Sequence, residues 1–72
     1  MLRYEYLNNT DNGKVYAYYP EGKQESAGKV LIESEGVGHV LVESKNDFKK
    51  MYAFHAIRGI DIEKERGTVA WY

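Results

Sequence analysis

Residues 46–66 read NDFKKMYAFHAIRGIDIEKER and form the one segment long enough for a substantial helix. Asn46 suits the N-cap position, because its side-chain oxygen can accept a hydrogen bond from an unpaired N–H of the first turn. Lys64 and Arg66 complement the negative end of the helix dipole, and Gly67 is a residue type common just past a helix C-terminus. We therefore predict one long helix over residues 46–66.

This predicted helix is apolar around most of its circumference at about 100° per residue. Such a wide arc fits a helix sunk into a small core, and it also fits a helix buried against a second subunit. We favour the first, because wide apolar arcs are ordinary in buried helices. Gly59 costs about 1 kcal/mol relative to Ala inside a helix, so it either allows close approach to the sheet or ends the helix at Arg58.

The N-terminal residues predict a β-hairpin. Residues 2–7, LRYEYL, alternate between apolar and charged side chains, which indicates a half-buried strand. Asn12-Gly13 is a strong hairpin signal, and residues 14–19, KVYAYY, form the return strand. Pro20 ends that strand, because proline has no N–H to donate to a neighbouring strand.

The return strand is apolar on both of its faces. We expect the helix to cover Val15, Ala17 and Tyr19. Tyr16 and Tyr18 then lie on the opposite, open face of the sheet.

A second hairpin is indicated by an internal echo, since VLIES at residues 30–34 recurs as VLVES at residues 40–44. Pairing Ile32 with Val42 leaves a three-residue loop at 36–38, where glycine permits the turn. The two faces are then Val30, Ile32, Val40 and Val42 on one side, and Leu31, Glu33, Leu41 and Glu43 on the other.

The C-terminal run GTVAWY, residues 67–72, is rich in residues that favour strands. The elements therefore follow the order β-β-β-β-α-β within one domain spanning residues 1–72. This order predicts an α+β fold, with an antiparallel sheet of about five strands and one long helix on one face.

Three segments carry a resemblance: YYPEG at residues 18–22, residues 52–58, and GTVAW at residues 67–71. In them the chain resembles short, uncharacterised bacterial proteins with a YYPEG-type strand end and a GTVAW-type C-terminal strand. The resemblance covers about half of the chain. It implies a small bacterial protein, with a mobile element as one source, and it brings no activity or functional residues with it.

Composition bears on location and partners. Ten basic and 11 acidic residues give a net charge of −1, which offers no global field to attract nucleic acid or an anionic membrane. No apolar run reaches transmembrane length, and no signal-peptide pattern precedes the first strand. We expect a cytoplasmic protein that does not associate with membranes.

No motif for catalysis, cofactor binding or metal binding is visible. The chain has no cysteine, and its two histidines, His39 and His55, are too few for a metal site. We expect His55 to be a hydrogen-bonded core residue. Glu33 and Glu43 come close on the open face, but exposed glutamates are usually solvated. We predict a protein that is not an enzyme and has no cofactor.

The open sheet face is the surface left to explain. Tyr16, Tyr18, Leu31 and Leu41 form an apolar patch there, with Glu33 and Glu43 at its rim, and such patches often bind proteins. We therefore predict a protein–protein interaction module that binds a partner or a second copy of itself. The alternative is single-stranded nucleic-acid binding by the same tyrosines. A small-molecule hydrolase has the least support, because no activated nucleophile is visible.

Overall fold

Four strands that follow one another along the chain form a meander, and a fifth joins it after the helix. The computed structural model describes residues 1–45, 47 and 50–70. The elements are β1 (Leu2–Thr10), β2 (Gly13–Pro20), a 3₁₀ turn (Gln24–Ser26), β3 (Gly28–Ser34), β4 (Val37–Val42), α1 (Met51–Gly59) and β5 (Arg66–Val69). The sheet order is β4-β3-β2-β1-β5, and every neighbouring pair is antiparallel. The predicted α+β fold, with one helix packed on a five-stranded sheet, is confirmed.

The helix is much shorter than predicted, since α1 has nine residues instead of the 21 of residues 46–66. Lys50, directly before it, adopts the left-handed conformation with φ of 60° and therefore stands outside the helix. Ile60, directly after it, is extended, and its N–H still bonds to the carbonyl of Ala56. The proposed cap Asn46 lies outside the described residues.

Gly59 marks the C-terminal end of α1 and touches the sheet. A Cβ at this position would stand 2.6 Å from Cγ1 of Val69 in β5. Both alternatives given for Gly59 therefore hold in part, since it approaches the sheet closely and the helix also ends at it, one residue after Arg58. The chain leaves the helix here, and Ile60 then turns back into the core, where it is 2% exposed.

The core lies between α1 and one face of the sheet. Its buried members are Leu2, Tyr4, Tyr16, Tyr18, Val30, Ile32, Ala53, Ala56, Ile57 and Ile60. Two alanines, Ala53 and Ala56, are the fully buried contacts of the helix, so the helix axis can approach the sheet closely. The bulk of the core comes from tyrosine rings instead. Tyr16 stands edge-to-face between Tyr4 and Tyr6, with ring centroids 5.9 and 5.8 Å away.

The expected facing of β2 is wrong, because Tyr16 and Tyr18 lie under the helix and are 0% exposed. The cause is a β-bulge in β1 at Leu7. At the turn, Thr10 pairs with Gly13, and continuing that register would bring Tyr6 opposite Ala17. The extra residue shifts the pairing by one, so that Tyr6 faces Tyr16 instead. A one-residue shift turns every side chain to the other face.

The other side of β2 therefore forms the open face. Val15, Ala17 and Tyr19 lie there, where the helix had been expected to cover them. Val15 pairs with Leu31 of β3, and Ala17 pairs with Lys29.

The second hairpin also differs in register from the prediction. Val30 pairs with Val40 and Ile32 pairs with Gly38, so the loop is the two-residue turn Glu35-Gly36. Gly36 has φ of 78°, a conformation that glycine adopts without steric cost.

Val40 faces the core as expected, but Val42 does not. A second irregularity, between Val40 and Val42 on β4, brings Val42 opposite Lys29 and leaves it 49% exposed. The predicted pairing of Ile32 with Val42 is therefore wrong.

The last strand, β5, pairs with β1 at the opposite edge of the sheet from β4, with Val69 beside Leu2. The helix carries the chain across the sheet from one edge to the other. The predicted C-terminal strand over residues 67–72 is thus present as Arg66–Val69, and Trp71 and Tyr72 lie outside the described residues.

Candidate functional site

The edge strand β4 is the most apolar exposed element that the structure describes. Val37, Leu41 and Val42 are 52%, 50% and 49% exposed. The other exposed large apolar side chains that the structure describes lie in three places: Met1 at the N-terminus, Leu7 in β1, and Met51 and Phe54 one turn apart on α1. Three half-exposed aliphatic residues on one six-residue strand form a contiguous feature, which we call the β4 edge.

The local sequence explains this exposure. Side chains alternate along a strand, so Val37, His39 and Leu41 share the open face while Val40 points to the core. Gly38 packs against β3, where a Cβ would collide with the carbonyl oxygen of Leu31. The edge is therefore held tightly to its neighbour, although its own side chains are open to solvent.

One polar side-chain contact, between His39 and Glu33, lies beside the aliphatic side chains of the β4 edge. His39 Nε2 is 2.5 Å from Glu33 Oε2, and both side chains are largely exposed. Exposed pairs of this kind contribute little to stability, about 0–1 kcal/mol. The pair instead places a polar rim next to Leu41.

The structure separates the six residues that the sequence had grouped. Three of them are exposed on or beside the β4 edge: Leu41, Glu33 and Glu43. The other three are buried, since Leu31 is only 9% exposed and Tyr16 and Tyr18 are fully buried. The placement of the two tyrosines on an open docking face was wrong. The reason is the β-bulge at Leu7, which shifts the pairing of β1 with β2 by one residue.

Tyr18 forms hydrogen bonds that stabilise the core. Its hydroxyl donates to Asp47 Oδ2 at 2.9 Å and accepts from the Ser44 N–H at 3.0 Å. Burial raises the pKa of Tyr18, and the hydrogen bond to Asp47 raises it further. Tyr18 therefore joins the segment before the helix to the sheet.

Asp47 caps the helix. Its Oδ1 accepts from the N–H of Tyr52 at 2.7 Å, and its Oδ2 accepts from the N–H of Ala53 at 3.0 Å. The first N–H groups of a helix have no partner within it, and a carboxylate also complements the helix dipole. The sequence had assigned the capping role to Asn46 instead.

Tyr16 differs from Tyr18 in one respect that matters for energetics. Its hydroxyl is buried and has no hydrogen-bond partner among the described residues. Burial, and after it the neighbouring hydroxyls of Tyr4 and Tyr6, raise the pKa of Tyr16. Its contribution to the core is therefore made by the ring.

Within residues 1–45, 47 and 50–70, no group of three or more histidine, cysteine or acidic side chains is placed to hold a metal ion. His55 is partly buried on α1 and interacts with other residues. In the same part of the chain, no helix has the length and apolar character needed to cross a membrane. No family model, curated protein or solved structure matches this chain.

Proposed function

We propose that this protein is a protein-binding module that receives an extended segment of a partner along β4. The observation that carries the proposal is the β4 edge itself, where three half-exposed aliphatic side chains flank the outer backbone of a terminal strand. A terminal strand has N–H and C=O groups free to pair with a further strand. Partners that add a strand gain affinity from these groups and specificity from alternate side chains.

The composition of β4 supports this choice of edge. Its six residues, VGHVLV, contain no lysine, arginine, proline or carboxylate, the residues that usually protect an exposed edge. Its pairing with β3 has two irregularities, one at Leu41 and one between Val37 and Gly38, which leave residues 38–40 in regular register. By contrast, β5 is four residues long and begins with Arg66.

The open face of the sheet is a weaker docking surface than its edge. Its central apolar residues Val15, Ala17 and Leu31 are each exposed by less than a tenth. They offer a partner little area, and buried apolar area is the main favourable term in association. The partner class that fits best is therefore an extended peptide segment with alternating aliphatic side chains.

The nucleic-acid alternative depended on Tyr16 and Tyr18 as stacking platforms. Both rings are enclosed between the sheet and α1, so they are not accessible to bases. The net charge of −1 also provides no field to attract phosphates.

The test is an amide NMR titration with a short peptide of alternating Val and Thr, compared with the same peptide carrying a central proline. We expect shifts concentrated at residues 37–42 with the first peptide and none with the second, because proline cannot complete the pairing. Leu41→Lys should abolish the shifts. Leu7→Lys, a similarly exposed leucine at the bulge of β1, should leave them intact.

Absence of shifts along β4, or equal loss in both lysine variants, would contradict the proposal. If the same amides shift as the protein's own concentration rises without peptide, the segment that occupies the edge is β4 of a second copy. That outcome would identify the protein as a self-associating module.

A further inference from the structure

A cavity of about 370 Å³ lies on the open face at the β1–β5 side of the sheet, two strands away from the β3–β4 pair. Six side chains give it its chemistry: Arg3, Glu5, Tyr19, Gln24, Arg66 and Thr68. From these we infer that the cavity is a binding site for a small oxyanion group, a phosphate or a carboxylate. The inference is independent of the proposed function at β4.

The strand register explains why two arginines meet here. Arg3 pairs with Tyr19 on one side and with Thr68 on the other, while Glu5 pairs with Arg66. Arg3 points to the open face because Leu2 and Tyr4, its neighbours in the chain, are buried under the helix. Both guanidinium groups therefore lie on the same face, in adjacent strands.

The cavity has more cationic donors than acceptors. Arg66 Nη2 is 4.0 Å from Glu5 Oε2, which is longer than a hydrogen bond. Among the residues that the structure describes, the side chain of Arg3 makes no ion pair and no hydrogen bond. Two guanidinium groups and one carboxylate leave a local excess of one positive charge.

Arg3 lies beside the turn that follows β2. Its Cδ is 3.7 Å from the point where a Cβ of Gly22 would stand, so the aliphatic stem passes close to this glycine. Gly22 has φ of 76°, a conformation that favours glycine.

The ligand class follows from the donors. A guanidinium group presents a planar fork of N–H groups that matches two oxygens of a carboxylate or phosphate. The Thr68 hydroxyl and the Gln24 amide add neutral donors at the same cavity. Glu5 repels highly charged ligands, so a single small anionic group fits better than a polyanion.

The test is a titration of the full chain with sodium phosphate and, separately, with sodium acetate, at constant ionic strength set with sodium chloride. Amide and guanidinium NMR signals of residues 3, 5, 19, 66 and 68 report binding. We expect Arg3→Gln and Arg66→Gln each to weaken binding about tenfold, the loss expected for one hydrogen bond to a charged group. Glu5→Gln should tighten it, because the repelling carboxylate is removed.

Arg58→Gln is the matched control, since it makes the same charge change on the exposed side of α1, outside the cavity. Saturation by phosphate alone or by acetate alone supports the site and tells which group it takes. Lack of saturable shifts with both anions would overturn the inference, and so would an equal loss in Arg58→Gln. If Arg3→Gln fails to fold, the largely exposed Arg66 carries the test by itself.

Discussion

Tyr16 and Tyr18 provide a sharp test of the core, because they sit two residues apart on one strand, both fully buried, and differ in the partners of their hydroxyls. Replacing each by phenylalanine keeps the ring and removes only the oxygen. Tyr18→Phe removes one hydrogen bond to the Asp47 carboxylate and one from the Ser44 N–H. Tyr16→Phe removes a hydroxyl that has no partner among the described residues.

The two variants should differ by several kcal/mol in the free energy of unfolding. A hydrogen bond to a charged group contributes about 1.5–3 kcal/mol and a neutral one about 0.5–1.5 kcal/mol, so Tyr18→Phe should lose about 3 kcal/mol. Tyr16→Phe should be neutral or should gain about 1 kcal/mol, because burial of an unpaired hydroxyl is itself unfavourable. At about 4–8 °C per kcal/mol, Tyr18→Phe should lower the melting temperature by roughly 12–24 °C.

Urea unfolding followed by circular dichroism measures both changes, and an unchanged m-value shows that the same surface is exposed on unfolding. A loss above about 1 kcal/mol in Tyr16→Phe would mean that its hydroxyl has a partner, such as a buried water. Equal losses in the two variants would refute the assignment of Tyr18 and Asp47 as the polar link between the sheet and the helix.

Four further predictions concern the elements that fix the fold. Asp47→Ala should lose at least about 2 kcal/mol in the same urea assay, because two helix N–H groups and Tyr18 lose one shared acceptor, whereas Asp47→Asn should lose less. Gly59→Ala should destabilise the protein by about 1–3 kcal/mol despite the better helix propensity of alanine, and Val69→Ala in the same chain should restore part of that loss; purely additive losses would argue against the contact. Deleting Leu7 should keep Tyr16 and Tyr18 buried, because Tyr6 and Asn8 would then pair in unbroken succession with Tyr16 and Val15; loss of the native amide NMR spectrum would show that the bulge itself is needed for the fold. Burial raises the pKa of Tyr18 and Tyr16 in the folded state. The stability linked to their protonation should therefore be complete below the ordinary tyrosine pKa of about 10 and should be lost as pH rises above it. A pH titration that follows phenolate absorbance together with circular dichroism measures this loss.

The candidate site was only partly predictable, and β2 shows why. Both faces of KVYAYY are apolar, so its residues indicate a strand but do not show which face is buried. Tyr16 and Tyr18 were therefore placed on the docking face with Leu31 and Leu41. Leu41 and Glu33 do lie at an exposed edge, because their hairpin has the clearer alternation.

The helix boundaries were hidden for a different reason. Ile60 and Ile62 continue the apolar pattern of α1 after the helix has ended, because both still pack against the core from the following loop. Periodicity records which residues are buried, and it does not record whether the backbone between them is helical. Contact between Gly59 and Val69 is a tertiary feature that no local pattern contains.

Local chemistry in the chain was enough to determine the element order β-β-β-β-α-β and the α+β class, because alternation, turn residues and a helix-forming segment act over a few neighbours. Tertiary structure alone decided which tyrosines are buried, where the helix ends and which strand is left at the edge. The bulge at Leu7 shows the physical reason most directly. One unpaired residue reverses the facing of the next strand, and only the packing of that strand against α1 and β3 determines which facing is the stable one.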